Sequence, residues 1–246
     1  MLSCKNFKLG KLAAKHDPRT FKFKSYFAHL PPTPPTADWG NKVPDWLMLA
    51  NDQYGDCTCA SAAHMIMLWL SYNAIPIIPT NDQVLAVYSD ITGFNPADPN
   101  TDQGAVELDV MNYWRQKGIL GHKINAFVQV EHSNLDHIRA AINLFGGVYA
   151  GTLLPENAMD AFDNSLPWSD TSTSASDGHA IPLVAYDANT ITCITWGKCQ
   201  VLTNEWALKY LDEAYAVLAP DWIAANGLAP SGFNTEQLTE DLKLVS

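Results

Sequence analysis

The sequence predicts an α+β fold in which a mainly helical half packs on a half built around a β-sheet. Helix patterns come first along the chain, strand patterns follow mostly after residue 148, and one apolar helix is long. Segregated helices and strands are typical of α+β proteins rather than of alternating α/β folds. With 246 residues, of which 47% are hydrophobic, the chain can form one large domain or two tightly packed halves.

The long helix is predicted over residues 58–72, directly after the turn Gly55-Asp56-Cys57. Apolar residues recur there at spacings of three or four, as a buried helix face requires: Ala60, Ala63, Met67 and Leu70. Cys57 is therefore expected at the helix N-terminus.

The remaining elements follow from capping residues, alternation and glycines. Helices are expected at 80–88, 107–117, 134–145 and 203–211, and strands at 125–130, 148–153, 180–186, 190–195 and 214–218. The turn Asp187-Ala188-Asn189 predicts a hairpin between two of these strands. Residues 93–104 and 156–177 are expected to be loops.

Charge is unevenly distributed along the chain. The net charge is −11, yet residues 1–24 hold seven of the fifteen Lys and Arg and one acid, which leaves about −17 for the rest. An acidic body repels phosphates, so nucleic acid is excluded as the main partner. The basic arm is expected either to fold over its own acidic surface or to dock on another chain or an anionic surface.

Composition divides the chain into a basic arm with a proline-rich strap (1–35), a domain (36–218) and a polar tail (219–246). The strap, Pro31-Pro32-Thr33-Pro34-Pro35, predicts a stiff extended connector. Residues 1–24 lack the apolar stretch of a secretory signal, and the longest apolar run is too short to span a bilayer. We therefore expect a soluble protein, located in the cytoplasm or in a virus particle.

The cysteines favour a functional thiol over a disulfide framework, because their number is odd and their spacing irregular: Cys4, Cys57, Cys59, Cys193 and Cys199. A catalytic thiol needs a lowered pKa, which a helix N-terminus and a neighbouring imidazole provide. Cys57 has the first, and His179 is the candidate imidazole, since Gly178 before it leaves room for another chain. No spacing matches a zinc or calcium site, so neither metal nor cofactor is expected.

These segments resemble the papain-like cysteine peptidases. In that family a glutamine precedes a Gly-Ser-Cys turn, and Gly-His-Ala and Asn-Ser-Trp-Gly segments follow. This chain has, in the same order, Asn51-Asp52-Gln53-Tyr54-Gly55-Asp56-Cys57, Gly178-His179-Ala180 and Ile194-Thr195-Trp196-Gly197. The Asp-Cys turn is also similar to bacteriocin-processing peptidases of the same superfamily. The resemblance covers roughly residues 36–218 and implies a long central helix packed on an antiparallel sheet.

The resemblance implies a catalytic pair of Cys57 as nucleophile and His179 as base. Cys59 is the alternative nucleophile, because it lies six residues after Gln53, the family's spacing between oxyanion glutamine and cysteine. If Cys57 acts, Asn51 holds that position instead. Either Asn51 or Gln53 is therefore expected to supply the side-chain donor of an oxyanion hole.

The resemblance also assigns residues to the cleft and to the imidazole. Gln103 and Gly104 fall near the glycine segment that lines the family's substrate cleft, while Gly178 and Trp196 would flank the histidine. Thr195 stands where the family has an orienting Asn, and a hydroxyl is a weaker partner for the imidazole than an amide or carboxylate.

Two functions from different classes follow. The first is a thiol hydrolase, a cysteine peptidase or amidase whose partner is a peptide or protein substrate. The second is a non-catalytic structural or binding module of a larger assembly such as a virus particle. The missing Asn and the basic arm, through which a protein partner could dock, favour the second, since a fold does not determine a function.

Overall fold

A computed structural model describes residues 7–27, 32–73, 76–224 and 227–232. Helices and an antiparallel sheet form the molecule, and the predicted α+β class is confirmed. Cys4 and residues 233–246 of the predicted tail lie outside the described residues. No helix in the described ranges combines the length and apolarity needed to cross a membrane.

The helices of the described residues are α1 (Lys24–Phe27), α2 (Cys57–Asn73), α3 (Asn81–Thr92), α4 (Glu107–Gln116), α5 (Leu135–Phe145), α6 (Glu156–Asp163) and α7 (Asn204–Tyr210). Thr80 forms a capping box with Gln83 at the start of α3, and Gly93 ends that helix in the left-handed conformation. The carbonyl side chain of Asn134 accepts the first amides of α5. These caps explain why the sequence located the starts of both helices within one residue.

The strands are β1 (Ala37–Asp38), β2 (Ala126–Gln129), β3 (Val148–Leu154), β4 (Asp177–Tyr186), β5 (Thr190–Thr195), β6 (Lys198–Thr203) and β7 (Leu211–Leu218). They form one sheet in the order β2-β7-β3-β4-β5-β6, and β1 pairs with β4. Every pairing among these strands is antiparallel. The predicted hairpin at 187–189 joins β4 to β5.

Two segments differ from the sequence-based expectation. Residues 156–177 were expected to be a loop, but they begin with α6, an eight-residue helix that buries Ala158 and Phe162. Strand β6 was not predicted; it follows a two-residue turn at Trp196 and Gly197, both of which have positive φ. A tight turn of that kind pairs the next residues at once with the strand before it.

The core lies between α2 and the sheet. Residues 57–70 of α2 are all buried, and the helix contacts β3, β4, β5, α3 and α4. Trp69 stacks on Trp114 of α4 at a centroid distance of 5.5 Å. The N-terminus of α2 therefore meets the sheet at β4, and this junction positions the candidate site.

Candidate active site

The two cysteines of the Cys57–Cys59 pair have different surroundings. Cys57 is the first residue of α2, where helix amides lack partners within the helix, and the backbone amides of Ala180 and Gly10 hydrogen-bond its sulfur. Cys59 is fully buried in the hydrophobic core, with the Thr58 hydroxyl as its polar neighbour at 4.0 Å. Two residues apart on a helix, the side chains point to different sides. Only Cys57 is thus brought beside the predicted histidine strand.

His179 lies in β4 and is held by the last residue of β5, Thr195, and by the first residue of the turn that follows, Trp196. Its Nε2 is 2.8 Å from the hydroxyl oxygen of Thr195, and its ring stacks on Trp196 at a centroid distance of 4.8 Å. The tautomer in which Nε2–H donates to Thr195 has its lone pair on Nδ1, and Nδ1 has no hydrogen-bond partner among the described residues. This is the tautomer that a base requires.

Asn51 and Gln53 are placed differently by the loop before α2. Asn51 is buried, and its amide donates to Asp56 Oδ1 (3.1 Å) and to the Tyr54 carbonyl (3.4 Å), whereas the side chain of Gln53 is exposed. Burial raises the pKa of Asp56 well above its usual range, and its Oδ2 has no partner in the described part of the chain. A buried carboxyl group with a raised pKa next to Cys57 was not predicted from the sequence.

The basic arm runs through the groove between α2 and the sheet. Three backbone hydrogen bonds hold it: the Lys11 amide to the Gly178 carbonyl (3.0 Å), the Leu12 amide to the Ala105 carbonyl (2.9 Å), and the Ala105 amide to the Gly10 carbonyl (2.8 Å). Phe7 packs edge-on against Trp196 at 5.7 Å. The arm therefore covers both Cys57 and His179.

Glycines on both sides make room for this passage. A side chain on Gly10 would collide with the backbone of Gly55, and one on Gly104 would collide with Gly10 itself. A side chain on Gly178 would collide with the Lys11 carbonyl. Gly104 and Gly178 thus line the groove that holds the arm, whereas Gln103 is exposed and donates to the Asn100 carbonyl at 2.8 Å.

The side chain of Lys11 enters a pocket of carboxyl groups, which we call the acidic pocket: Glu107, Asp212 and Glu213, with Gly151 on its wall. Lys11 Nζ is 2.8 Å from Asp212 Oδ2 and 3.2 Å from Glu213 Oε1, and its side chain is fully buried. Burial lowers the pKa of Lys11, but Glu107, Asp212 and Glu213 outweigh it and the net shift is upward. Lys11 is therefore a buried cation.

Further ion pairs fix the arm outside the groove. Lys8 pairs with Asp102 at 2.7 Å, and Asp102 also accepts the Gly55 amide (3.0 Å) and the Tyr88 hydroxyl (2.9 Å). Lys15 pairs with Asp109 at 2.6 Å. Of the two alternatives for the arm, the described residues show the one in which it folds over its own acidic body.

Burial under the arm favours the neutral forms of the candidate residues Cys57 and His179. Burial raises the pKa of the Cys57 thiol to about 12, against the smaller opposing effect of the Ala180 and Gly10 amides. Burial lowers the pKa of His179 to about 3, and the positive charge of Lys11 lowers it further. An uncharged thiol is a weak nucleophile, and an uncharged imidazole forms no ion pair that would lower the pKa of the thiol. In this arrangement the arm both blocks access and disfavours the ion pair.

Comparison with solved structures identifies the fold that carries this site. Xylellain, a cysteine protease from Xylella fastidiosa, superposes with a TM-score of 0.67 at 16% identity over 87% of this chain and 96% of its own. The chain has the papain-like fold. Procathepsin B S9 from Trypanosoma congolense gives a TM-score of 0.59 at 13% identity, covering 89% and 88% of the two chains. Bromelain from Ananas comosus gives 0.56 at 11% identity, covering 75% and 99%.

A search of protein-family models and a search of curated protein sequences gave no match. Identities of 11–16% support the papain-like fold and leave the chemistry to this chain's own residues. Among the described residues, no group of three or more His, Cys, Asp or Glu side chains could hold a metal ion.

Sequence reasoning missed Lys11, Asp56 and the acidic pocket as parts of the site. Lys11 was counted only as one base of the arm, and its partners Asp212 and Glu213 are about 200 residues away. One signal was present: Asp212 and Glu213 follow the first residue of an otherwise apolar strand, and Glu107 begins a helix next to the glycine segment. Charged residues at such buried element ends indicate a polar partner.

Proposed function

We propose that this papain-like chain is a thiol hydrolase, a cysteine peptidase or amidase, with Cys57 as nucleophile and His179 as base. The observation that carries the proposal is the fixed imidazole: Thr195 holds Nε2 at 2.8 Å, Trp196 covers one ring face, and Nδ1 is left unbonded within the described residues. The next residue, Ala180, donates its amide to the sulfur of Cys57. This contact supports the proposal, because it ties the strand that carries His179 to the N-terminus of α2, where Cys57 lies.

The reaction follows from these positions once the arm has left the groove. His179 Nδ1 takes the thiol proton, the sulfur attacks the carbonyl carbon, and the C–N bond breaks as the imidazolium returns the proton to the leaving amine. Water then attacks the thioester carbon and gives a proton to His179, and the C–S bond breaks as the imidazolium returns that proton to the sulfur, which releases the acid and the Cys57 thiol. The free amides at the start of α2 and the Asn51 side chain are the candidate oxyanion donors.

Two features set the expected rate below that of an enzyme with an Asn or Asp partner. Thr195 offers a neutral hydroxyl, which stabilises an imidazolium less than a carboxylate does. Both amide hydrogens of Asn51 are directed to Asp56 and Tyr54, so Asn51 must exchange a partner to bind an oxyanion.

A peptidyl epoxide probe tests the proposal on the full chain carrying Gly10→Val, a change that prevents the arm from seating. We expect covalent labelling and hydrolysis of a quenched fluorogenic peptide pool, both lost in the additional variant Cys57→Ala. Cys59→Ala, the matched control, should keep at least half the labelling, since its thiol is in the core. Labelling lost only in Cys59→Ala would transfer the nucleophile to that residue.

The filled groove also favours the second function, a papain-like module that binds rather than cleaves. In the described structure the arm occupies the groove and the two reactive groups are neutral. A well-folded Gly10→Val protein that neither takes the probe nor hydrolyses any peptide would support the binding module and overturn the hydrolase.

A further inference from the structure

Lys11 makes backbone contacts and side-chain contacts in the groove, and only the side-chain contacts can distinguish one peptide sequence from another. Its backbone amide bonds the Gly178 carbonyl, and its neighbours Gly10 and Leu12 bond Ala105, all through amide and carbonyl groups that every peptide has. Its side chain alone enters the acidic pocket. Whatever selects one extended peptide over another at this point of the groove therefore acts through the pocket.

The pocket is built to receive a long aliphatic stem. Gly151 of β3 forms its wall, and a Cβ at that position would overlap with Cε of Lys11 and lie 2.8 Å from Glu107 Oε1. The φ of Gly151 is not in the left-handed region, so the backbone itself does not require glycine there. The absent side chain is thus explained by the space that the lysine stem fills.

The bottom of the pocket demands a cation. Glu107 is fully buried, and neither of its carboxyl oxygens has a hydrogen-bond partner within the described ranges. Glu213 is 1% exposed and accepts the Tyr215 hydroxyl at 3.1 Å, and Asp212 stands at the mouth with its side chain 23% exposed. An apolar side chain would leave these carboxyl groups without a counter-charge, which is unfavourable in a buried site.

We infer that the acidic pocket is a substrate subsite for a lysine or arginine side chain. In this structure Lys11 of the protein's own arm occupies the position of that substrate side chain. This inference rests on the proposed hydrolase and names its substrate class: peptides with a basic residue at the position that Lys11 takes. The same preference explains why the arm, which must compete with substrate for the groove, carries lysine there.

Binding without chemistry tests the pocket first. The full chain with Gly10→Val and Cys57→Ser is titrated with a labelled peptide of residues 7–15, and with the same peptide carrying norleucine in place of Lys11. Norleucine keeps most of the stem and removes the charge. We expect the lysine peptide to bind at least tenfold more tightly, and the difference to vanish in Glu107→Gln/Glu213→Gln. The exposed Glu205→Gln is the matched control and should retain it. Equal or tighter binding of the norleucine peptide would overturn the inference.

A second variant tests the wall of the pocket. Gly151→Ala should abolish the advantage of lysine while a peptide with alanine at that position binds as before. A lysine advantage that survives Gly151→Ala would overturn the placement of the stem. If Gly10→Val does not fold, the charge reversal Lys8→Glu, which places a second carboxylate against the enclosed Asp102, releases the arm in its place.

Cleavage separates the inference from the proposed function. With Cys57 intact, a quenched peptide pool should be cleaved with at least tenfold preference for lysine or arginine at one position over leucine. Cleavage without that preference would leave the hydrolase standing and overturn the subsite. Lysine-dependent binding without any cleavage would leave the cation site standing and overturn the hydrolase.

Discussion

Two stretches of the basic arm carry similar charge but differ in how deeply that charge is buried. The inner arm, residues 9–12, lies in the groove, and its Lys11 is enclosed by the acidic pocket. The outer arm, residues 13–20, lies on the surface: the Lys15 side chain is 58% exposed in its pair with Asp109, and Arg19 pairs locally with Asp17. Exposed pairs contribute little because water and salt screen them, whereas a desolvated charge strongly favours its partners. The inner arm should therefore control both access and stability.

The largest expected effect comes from unseating the inner arm. Gly10→Val places a side chain against the Gly55 backbone, so the arm must leave the groove. Alkylation of Cys57 by iodoacetamide at pH 8, followed by peptide mass spectrometry, should speed up by roughly 100-fold, as expected if closure holds the site by about 3 kcal/mol. Ala14→Val in the outer arm is the control, and its rate should equal that of the unchanged chain. Equal rates in both variants would show that the arm does not guard the thiol.

Removing the charge of Lys11 or of Lys15 should show how much each stretch of the arm contributes to the stability of the fold. Lys11→Met leaves Glu107 and Glu213 without their cation and should lower the free energy of unfolding by about 3 kcal/mol. Lys15→Met should change it by less than about 0.5 kcal/mol. Urea denaturation followed by tryptophan fluorescence measures both. Similar losses in the two variants would contradict the comparison.

A pH dependence sharpens the picture of the covered site. Burial and Lys11 hold the pKa of His179 near 3, below its ordinary value of 6.5. The unfolded chain therefore binds a proton that the folded chain does not, and stability falls as pH drops from 6.5 towards 3. At pH 5 the loss from this group is about 2 kcal/mol, at 1.36 kcal/mol per pH unit.

The test compares variants at each pH, because Glu107 and Asp56, whose pKa values burial raises, change stability in the opposite direction. His179→Gln should remove about 2 kcal/mol from the free energy of unfolding that the protein loses between pH 7 and pH 5. The variant His16→Gln, at an exposed position of the outer arm, is the control and should not change that pH-dependent loss. An equal loss of unfolding free energy with and without His179 would contradict its buried, neutral state.

The smallest effect is the salt response. Raising NaCl from 50 mM to 500 mM shortens the screening length well below 10 Å, which weakens the exposed Lys15–Asp109 pair and spares the enclosed Lys11. The difference between Lys15→Met and the unchanged chain should disappear in high salt, while the loss in Lys11→Met persists. A salt-sensitive Lys11→Met effect would place that ammonium in contact with solvent.

Local signals predicted much of the fold. The helix α2 and the starts of α3 and α5 follow from apolar spacing and from Thr80 and Asn134 as caps. Helix α6 was missed because it has only two turns inside a polar segment, although its apolar residues Ala158, Met159, Ala161 and Phe162 do recur at helical spacing. Strand β6 was missed because its turn lacks the usual Asn-Gly pair and has Trp196 at a positive φ.

The site divides in the same way. The candidate residues around Cys57 and His179 came from short motifs, in which order and spacing along the chain carry the information. The course of the arm did not, because a backbone pairing between residues 10–12 and residues 105 and 178 leaves no pattern in either segment beyond glycines. The acidic pocket likewise joins residues 11, 107 and 212–213, which no local window contains.

The wide sequence separation of the inner arm from its seat also determines when closure can occur. The groove combines Gly55, Gly104, Gly178 and the acids of the pocket, and the Lys11–Asp212 pair spans 201 residues. Such contacts have the highest loop-closure entropy and form late in folding. The arm is translated before every residue that binds it, yet it can dock only after both halves have assembled. Closure therefore reports the completion of folding, and a chain that misassembles at the junction of α2 and the sheet has no place for its own arm.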